Sequence, residues 1–96
     1  LKGHETVVGS YDGQVYVNGT GNPGMASGGC GDVLTGVIAA LLGQKLPVFE
    51  AAVLGTHLHG LAGDLAASER GQIGLLASDV ADRIPQAIRS YQQSTT

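Results

Sequence analysis

The chain has no tryptophan, one phenylalanine, three tyrosines and one cysteine among 96 residues, so few large side chains are available for a core. Sixteen positions are glycine instead. A domain this small already buries a limited share of its surface. With no initiator methionine at Leu1, the composition leads us to expect part of a larger domain. Basic residues are scarce too, five Lys plus Arg against eight Asp plus Glu for a net charge of −3. Tracking a nucleic-acid backbone needs a basic patch, and none is visible. The most apolar run, Val37 to Gly43, is far short of the roughly 20 residues of a spanning helix. No basic segment followed by an apolar stretch opens the chain as a secretory signal would. One cysteine permits no internal disulfide and fits a reducing compartment. The expectation is a cytoplasmic protein without nucleic-acid or membrane partners. There is no repeat and no low-complexity linker.

What the chain does have is a glycine-rich loop that opens into a helix, from Gly21 to Gly36, GNPGMASGGCGDVLTG. Five glycines from Gly21 to Gly31 give a backbone that reaches positive φ and approaches a ligand closely. From Gly31-Asp32 the pattern turns helical, with Val33, Leu34, Val37, Ile38, Leu41 and Leu42 recurring at helical spacing. The loop therefore delivers free N–H groups to the positive end of a helix dipole, where a phosphate is well placed.

Around this run the reading is simple. Thr6-Val7-Val8 is a short strand, and Tyr11 to Gln14 leads into Val15-Tyr16-Val17 as a hairpin, Asp12-Gly13 being a favoured type I′ pair. Asn18 to Cys30 is loop. A first helix spans about Gly31 to Leu42, with Gly43 as its left-handed C′ residue. A second starts near Pro47 and carries the small-residue stripe Ala51, Ala52, Gly55, His59, Ala62, Gly63 and Ala66, a face expected to be buried. Gly71 to Gly74 breaks the pattern, and Ser78 is the expected N-cap of a third helix with Val80, Ile84, Ile88 and Tyr91 on its apolar face. Pro85 either kinks that helix or starts a new one. The polar tail from Gln92 is expected to fray. Two or three strands cannot cover these helices, so the rest of the sheet is expected from residues beyond this chain.

Three phosphate-loop patterns compete over the same stretch. Gly19-Thr20-Gly21-Asn22-Pro23-Gly24 has the glycines of a dinucleotide fingerprint, but Pro23 and further loop intervene where the helix should begin. Gly24 to Gly29 has Walker A spacing, yet Cys30 and Gly31 stand where Lys and Ser or Thr must be. The third pattern, Gly29-Cys30-Gly31-Asp32, is an anion hole with its own base. N–H groups of residues 29 to 31 converge on charge developing at a phosphoryl group. The Asp32 carboxylate accepts the proton of an attacking hydroxyl. An acid in a helix first turn that merely complements the dipole remains open on these residues alone.

Asn22-Pro23-Gly24-Met25-Ala26-Ser27-Gly28-Gly29-Cys30-Gly31-Asp32-Val33-Leu34-Thr35-Gly36 closely resembles the signature of the ADP/ATP-dependent NAD(P)H-hydrate dehydratases, the C-terminal YjeF-type domain of the ribokinase-like superfamily. Lys2-Gly3-His4-Glu5-Thr6 looks like that family's KGxxT nucleotide segment, Leu42-Gly43-Gln44 is similar to its helix end, and His59-Gly60-Leu61-Ala62-Gly63-Asp64 to its later helix. The resemblance covers nearly the whole chain. It implies that residues 1–96 are the C-terminal portion of one ribokinase-like nucleotide-binding domain, an α/β fold in three layers, α/β/α. It implies nucleotide contacts from Lys2, Gly3, His4, Glu5 and Thr6 and from Asn22, Pro23, Gly24, Met25, Ala26, Ser27, Gly28, Gly29, Cys30 and Gly31. Asp32 would meet the hydrate and act as base. The implied reaction is repair: ADP or ATP phosphorylates the ring hydroxyl of hydrated NADH or NADPH, and loss of phosphate restores the cofactor. Mg²⁺ is implied with ligands outside these residues, as are a homo-oligomer and a fused or partnered NAD(P)H-hydrate epimerase domain. Cys30 occupies a variable place in the motif. The rival readings are a small-molecule kinase of the same superfamily acting on a sugar, hydroxymethylpyrimidine or thiazole, and a nucleotide-binding module without turnover.

Other residues carry weaker signals. Cys30 at a helix start suits a small spacer better than a reactive thiol. His57 and His59 lie two apart on a helix and point apart, which argues against a zinc pair. His59 is expected to be a satisfied buried histidine, with a nucleotide contact left open. For Asp64 a helix-to-helix hydrogen bond and a substrate-side role stay open, as do phosphate contact and exposure for Lys2.

Overall fold

The computed structural model describes residues 7–10, 12–26 and 29–95. The chain folds as a two-stranded antiparallel hairpin laid against a helical layer, the elements running β1 (Val7–Gly9), β2 (Val15–Val17), a 3₁₀ turn (Pro23–Ala26), α1 (Cys30–Gly43), α2 (Val48–Arg70), α3 (Ala77–Asp82) and α4 (Ile84–Thr95). The described part is mostly helical.

The hairpin pairs Val7 with Val17, Val8 with Tyr16 and Gly9 with Val15. Its turn is not type I′, which needs positive φ at both central residues. Gly13 has φ 97° but Asp12 does not share it, and the Gly13 N–H closes on the Ser10 carbonyl at 3.2 Å while Ser10 N–H meets Gln14 O at 2.9 Å. That is a longer loop ending in a left-handed glycine. The Ser10 hydroxyl donates to Asp12, which lowers the Asp12 pKa, the Gln14 N–H adding to the effect. Val8 and Tyr16 are half-buried on the face toward α2, whereas Val7, Val15 and Val17 on the other face are 53, 67 and 58 % exposed.

α2 is the central element. Its buried stripe, Ala51, Gly55, Thr56, Leu58, His59, Gly60, Ala62, Gly63 and Ala66, matches the expected small-residue face. Small side chains let α1 come close: a Cβ on Gly55 would lie 2.7 Å from Ile38 Cγ1. The core joins Met25, Cys30, Leu58, Ala62, Ala66, Leu75, Val80 and Ala87. No helix among the described residues is long and apolar enough to cross a membrane.

Several helix ends differ from expectation. Gly43 lies inside α1 and is not its C′ residue. The helix runs one residue further, to the C-cap Gln44, and Lys45 takes the left-handed place at φ 71°. Lys45 N–H meets Leu42 O at 2.9 Å and Leu46 N–H meets Leu41 O at 3.4 Å, the paired closure of a Schellman motif. Pro47 is the N-cap of α2 rather than its first residue. The N-cap of α3 is Leu76, not Ser78. The Asp79 carboxylate accepts the Leu76 N–H at 3.0 Å, and the acid three residues on supplies the cap that a leucine side chain cannot. Of the two outcomes open at Pro85, a kink or a new helix, the structure has the second. Pro85 has no N–H to continue the ladder from α3, so the chain turns at Arg83 and α4 restarts with Pro85 in its first turn. Ala87 rather than Ile88 fills the core from α4. The helix continues through Gln92 to Thr95, past the point where fraying was expected. Arg70 on Asp79 at 3.2 Å and Arg83 on Glu69 tie the end of α2 to the segment that follows.

Candidate active site

The loop between β2 and α1 is held by hydrogen bonds to α2. Asn18, 2 % exposed, donates its amide to Thr20 O at 3.1 Å and to Thr56 O at 3.4 Å, and its Oδ1 accepts the Tyr16 hydroxyl at 3.0 Å. The Thr20 hydroxyl donates to His57 O at 2.9 Å. Gly21 then turns at φ 105°, and its N–H donates to Asp64 Oδ2 at 3.0 Å, while Asn22 Nδ2 donates to Asp64 Oδ1 at 2.9 Å. Asn22 Oδ1 receives the Gly24 N–H at 3.0 Å, which sets the start of the Pro23–Ala26 turn. Two glycines of α2 make room for this. A Cβ on Gly60 would lie 2.7 Å from the Thr20 carbonyl carbon, and one on Gly63 would lie 2.5 Å from Met25 Cε.

The loop ends at Gly29, the N-cap of α1, at φ 93°. Only glycine adopts this backbone without strain, and a Cβ would also press on Ala77. Asp32 N–H and Val33 N–H both return to Gly29 O, at 3.1 and 3.2 Å. The expected start at Gly31 is thus one residue early, at Cys30. No described group accepts the N–H of Gly29 or of Gly31, and a helix of fourteen residues puts its positive dipole end behind them.

Asp32 is the third residue of α1, the position Asp79 holds in α3. Asp79 turns back to accept the N-cap N–H. Asp32 makes no such bond among the described residues and stands exposed. An acid used only as a cap would be expected to behave as Asp79 does.

Thr20, Gly21, Met25, Cys30, Gly31 and His59 share the lining of one cavity of about 160 Å³, so the loop and the helix start face common space. A larger groove of about 460 Å³, lined by Tyr16, Phe49, Val53, His57 and Tyr91 among others, contains none of the loop residues and is mainly apolar. Cys30 and Gly31 at the start of α1 line the loop cavity and not the groove.

His59 departs from expectation. It is 9 % exposed, yet its Nε2 has no hydrogen-bond partner among the described residues. Burial pulls its pKa below 6.5, more strongly than the Cys30 carbonyl beside the ring raises it. The ring is therefore held neutral. His57 points elsewhere, edge-on to Tyr91 at 5.9 Å. Cys30 is buried in the core as the first residue of α1. No three His, Cys, Asp or Glu side chains among the described residues gather as a metal-binding group.

Of the residues singled out from sequence, the structure brings Asn22, Pro23, Gly24, Met25 and Ala26 into one turn, and Gly29, Cys30, Gly31 and Asp32 into the start of α1. Lys2, Gly3, His4, Glu5, Thr6, Ser27 and Gly28 lie outside the described residues. Sequence reasoning missed Asn18 and Thr20, which anchor the loop. It left Asp64 between two roles, and the side chain has a third, binding the loop itself.

A glycine-rich turn fixed on one helix and feeding the start of another, with an exposed acid at its third position, is an arrangement that favours an anionic group at a helix end. A model of the NAD(P)H-hydrate dehydratase family matches residues 1–86, and the chain belongs to that family. It is 55 % identical over 93 residues to the bifunctional NAD(P)H-hydrate repair enzyme Nnr of Moorella thermoacetica, covering 97 % of this chain and 18 % of that protein. It is 52 % identical over 82 residues to the ADP-dependent (S)-NAD(P)H-hydrate dehydratase of Neisseria meningitidis, covering 84 % and 28 %. The Escherichia coli Nnr is 50 % identical over 80 residues, 83 % of this chain and 16 % of the relative. The chain thus spans less than a third of the length of these relatives.

Proposed function

We propose that this chain is the C-terminal portion of a ribokinase-like three-layer α/β/α domain that repairs hydrated NADH or NADPH at the expense of ADP or ATP. The observation that carries the reading is the start of α1, where N–H groups of Gly29 and Gly31 that no described group accepts adjoin an exposed Asp32 that makes no cap bond among the described residues. The relatives named dehydratases and repair enzymes favour it over a small-molecule kinase. The exposed outer face of the hairpin, Val7, Val15 and Val17, is the kind of surface a further layer would cover.

In this mechanism the N–H groups of residues 29 to 31 and the α1 dipole stabilise charge on the transferred phosphoryl group. Asp32 takes the proton of the hydrate hydroxyl as its oxygen attacks phosphorus, and the bond from phosphorus to the departing nucleotide breaks. The C–O bond of the phosphate ester then breaks, phosphate leaves with the electron pair, and loss of a proton from the neighbouring carbon restores the double bond. Phosphorylation converts a poor leaving group into a good one. The name bifunctional among the relatives supports a second activity on the same polypeptide, which we expect to be an epimerase. Phosphate release from hydrated NADH with ADP or ATP, assayed on the full-length protein, tests the reading. A phosphate ester formed only from a sugar, pyrimidine or thiazole alcohol would replace it, and nucleotide binding without turnover would reduce it to a binding module.

A further inference from the structure

We propose that Asp64 is a positioning residue for nucleotide, acting through the loop and touching neither substrate nor nucleotide. The proposal rests on the functional reading above, but its geometry stands apart from it. The Asp64 carboxylate is the only described acceptor of two loop donors at once, Gly21 N–H at 3.0 Å and Asn22 Nδ2 at 2.9 Å. Because Nδ2 of Asn22 is committed to Asp64, its Oδ1 is turned toward Gly24 N–H at 3.0 Å. Orientation passes from Asp64 through Asn22 to the backbone of Gly24, and from there into the Pro23–Ala26 turn. Met25 at the centre of that turn is buried against Gly63, one residue before Asp64 on α2. The carboxylate thus fixes both the height and the rotation of the loop over α2, while the α1 end of the loop is fixed separately by Gly29.

The donor and acceptor pattern makes the role testable by exchange. In Asp64→Asn one oxygen can still accept from Gly21, but the new amide faces Asn22 Nδ2, donor against donor. Rotating Asn22 to relieve this presents its NH₂ to Gly24 N–H instead, so one bond is lost either way. In the double variant Asn22→Asp/Asp64→Asn the amide of residue 64 donates to a carboxylate at 22, whose other oxygen accepts Gly24 N–H. All three bonds are restored with the charge moved.

The experiment measures ADP affinity by calorimetry, steady-state constants with hydrated NADH, and amide exchange at Gly21 and Gly24, on the full-length protein and both variants. Asp64→Asn is expected to weaken ADP binding and raise its KM about 10-fold or more, the loss of a charge-assisted bond in a buried setting. At saturating nucleotide kcat should stay within about 3-fold. Exchange at the two glycines should quicken, and the double variant should recover protection to within about 3-fold of the parent. If Asp64→Asn binds ADP normally, or if Gly21 and Gly24 are no better protected in the double variant than in the single, the proposal is overturned. A kcat that collapses with KM unchanged also overturns it, because Asp64 would then act at the reacting atoms. Should Asp64→Asn fail to fold, recovery of folding and of protection at Gly21 and Gly24 in the double variant supports the proposal and its failure rejects it. A parent protein that binds no nucleotide would sink the functional reading instead, and the exchange data would still decide whether Asp64 sets the loop.

Discussion

Gly60 on α2 lies so close to Gly21 in the loop that a Cβ there would come within 2.9 Å of the Gly21 nitrogen and 2.7 Å of the Thr20 carbonyl carbon. Helix propensity alone favours alanine at this mid-helix position by about 0.5–1 kcal/mol. Contact with rigid backbone outweighs that, since overpacking costs about 1–3 kcal/mol. Gly60→Ala is therefore expected to destabilise the full-length protein and weaken ADP binding, whereas Gly63→Ala, which meets the flexible Met25, should cost less. Denaturant midpoints and ADP titrations of the two variants check the order. Equal or reversed effects would mean that the loop does not rest on Gly60 as described.

Lys45 is the one described non-glycine residue with positive φ, at 71°. It sits at the C′ position after α1, where the left-handed conformation costs an L-residue about 1–2 kcal/mol. Lys45→Gly removes that strain but adds backbone entropy to the unfolded chain, so the net gain is expected to be about 0.5–1 kcal/mol. The side chain is exposed, so little packing is lost. An unfolding midpoint that falls in this variant would show that the helix end is held by something other than the Schellman closure.

How far the sequence discloses this structure depends on the range over which each signal acts. The start of α1 and the buried stripe of α2 follow from local pattern, glycine followed by an acid and small residues at helical spacing, and both are found. The helix ends were less legible. Gly43 is the better left-handed residue, yet the helix runs past it because the closure at Lys45 and Leu46 satisfies the last carbonyls. Leu76 has no capping side chain, and its partner Asp79 lies three residues on. Long-range contacts were least legible. Asn18 to Thr56 and Gly21 to Asp64 join positions 38 and 43 residues apart, and nothing local to Asn18 or Asp64 announces them. The supports of the loop were not readable, because they join it to a helix far along the chain through the side chains of Asn18, Thr20 and Asp64.

His59 predicts a pH dependence. Its pKa is lowered on folding, chiefly by burial, so the unfolded chain binds a proton that the folded one resists. Stability from this residue is complete above about 6.5, the ordinary histidine value, and is lost as pH falls from there through the lower folded value. One such group contributes a slope of at most about 1.4 kcal/mol per pH unit. Unfolding free energies of the full-length protein and of His59→Gln, followed from about pH 8 to pH 5, should diverge in slope below about 6.5, with the parent falling faster. Parallel curves would show that the histidine is not kept neutral by its surroundings.

The exposed carboxylate of Asp32 carries the catalytic half of the reading, and Asp32→Asn isolates it. In the proposed mechanism the phosphate meets backbone N–H groups at the start of α1, which the substitution leaves in place. The helix start is closed by Gly29 O receiving the N–H groups of Asp32 and Val33, so the side chain is not needed to hold it. Some favourable interaction with the dipole is lost, worth about 0.3–1 kcal/mol at an exposed position, too little to abolish binding. ADP affinity is therefore expected to stay within a few fold. Turnover of hydrated NADH should fall by about two to four orders of magnitude, the range for removing a positioned general base, because an amide of the same shape cannot take the hydroxyl proton. Near-normal turnover in this variant would leave Asp32 as a charge that complements the helix and place the base elsewhere in the protein.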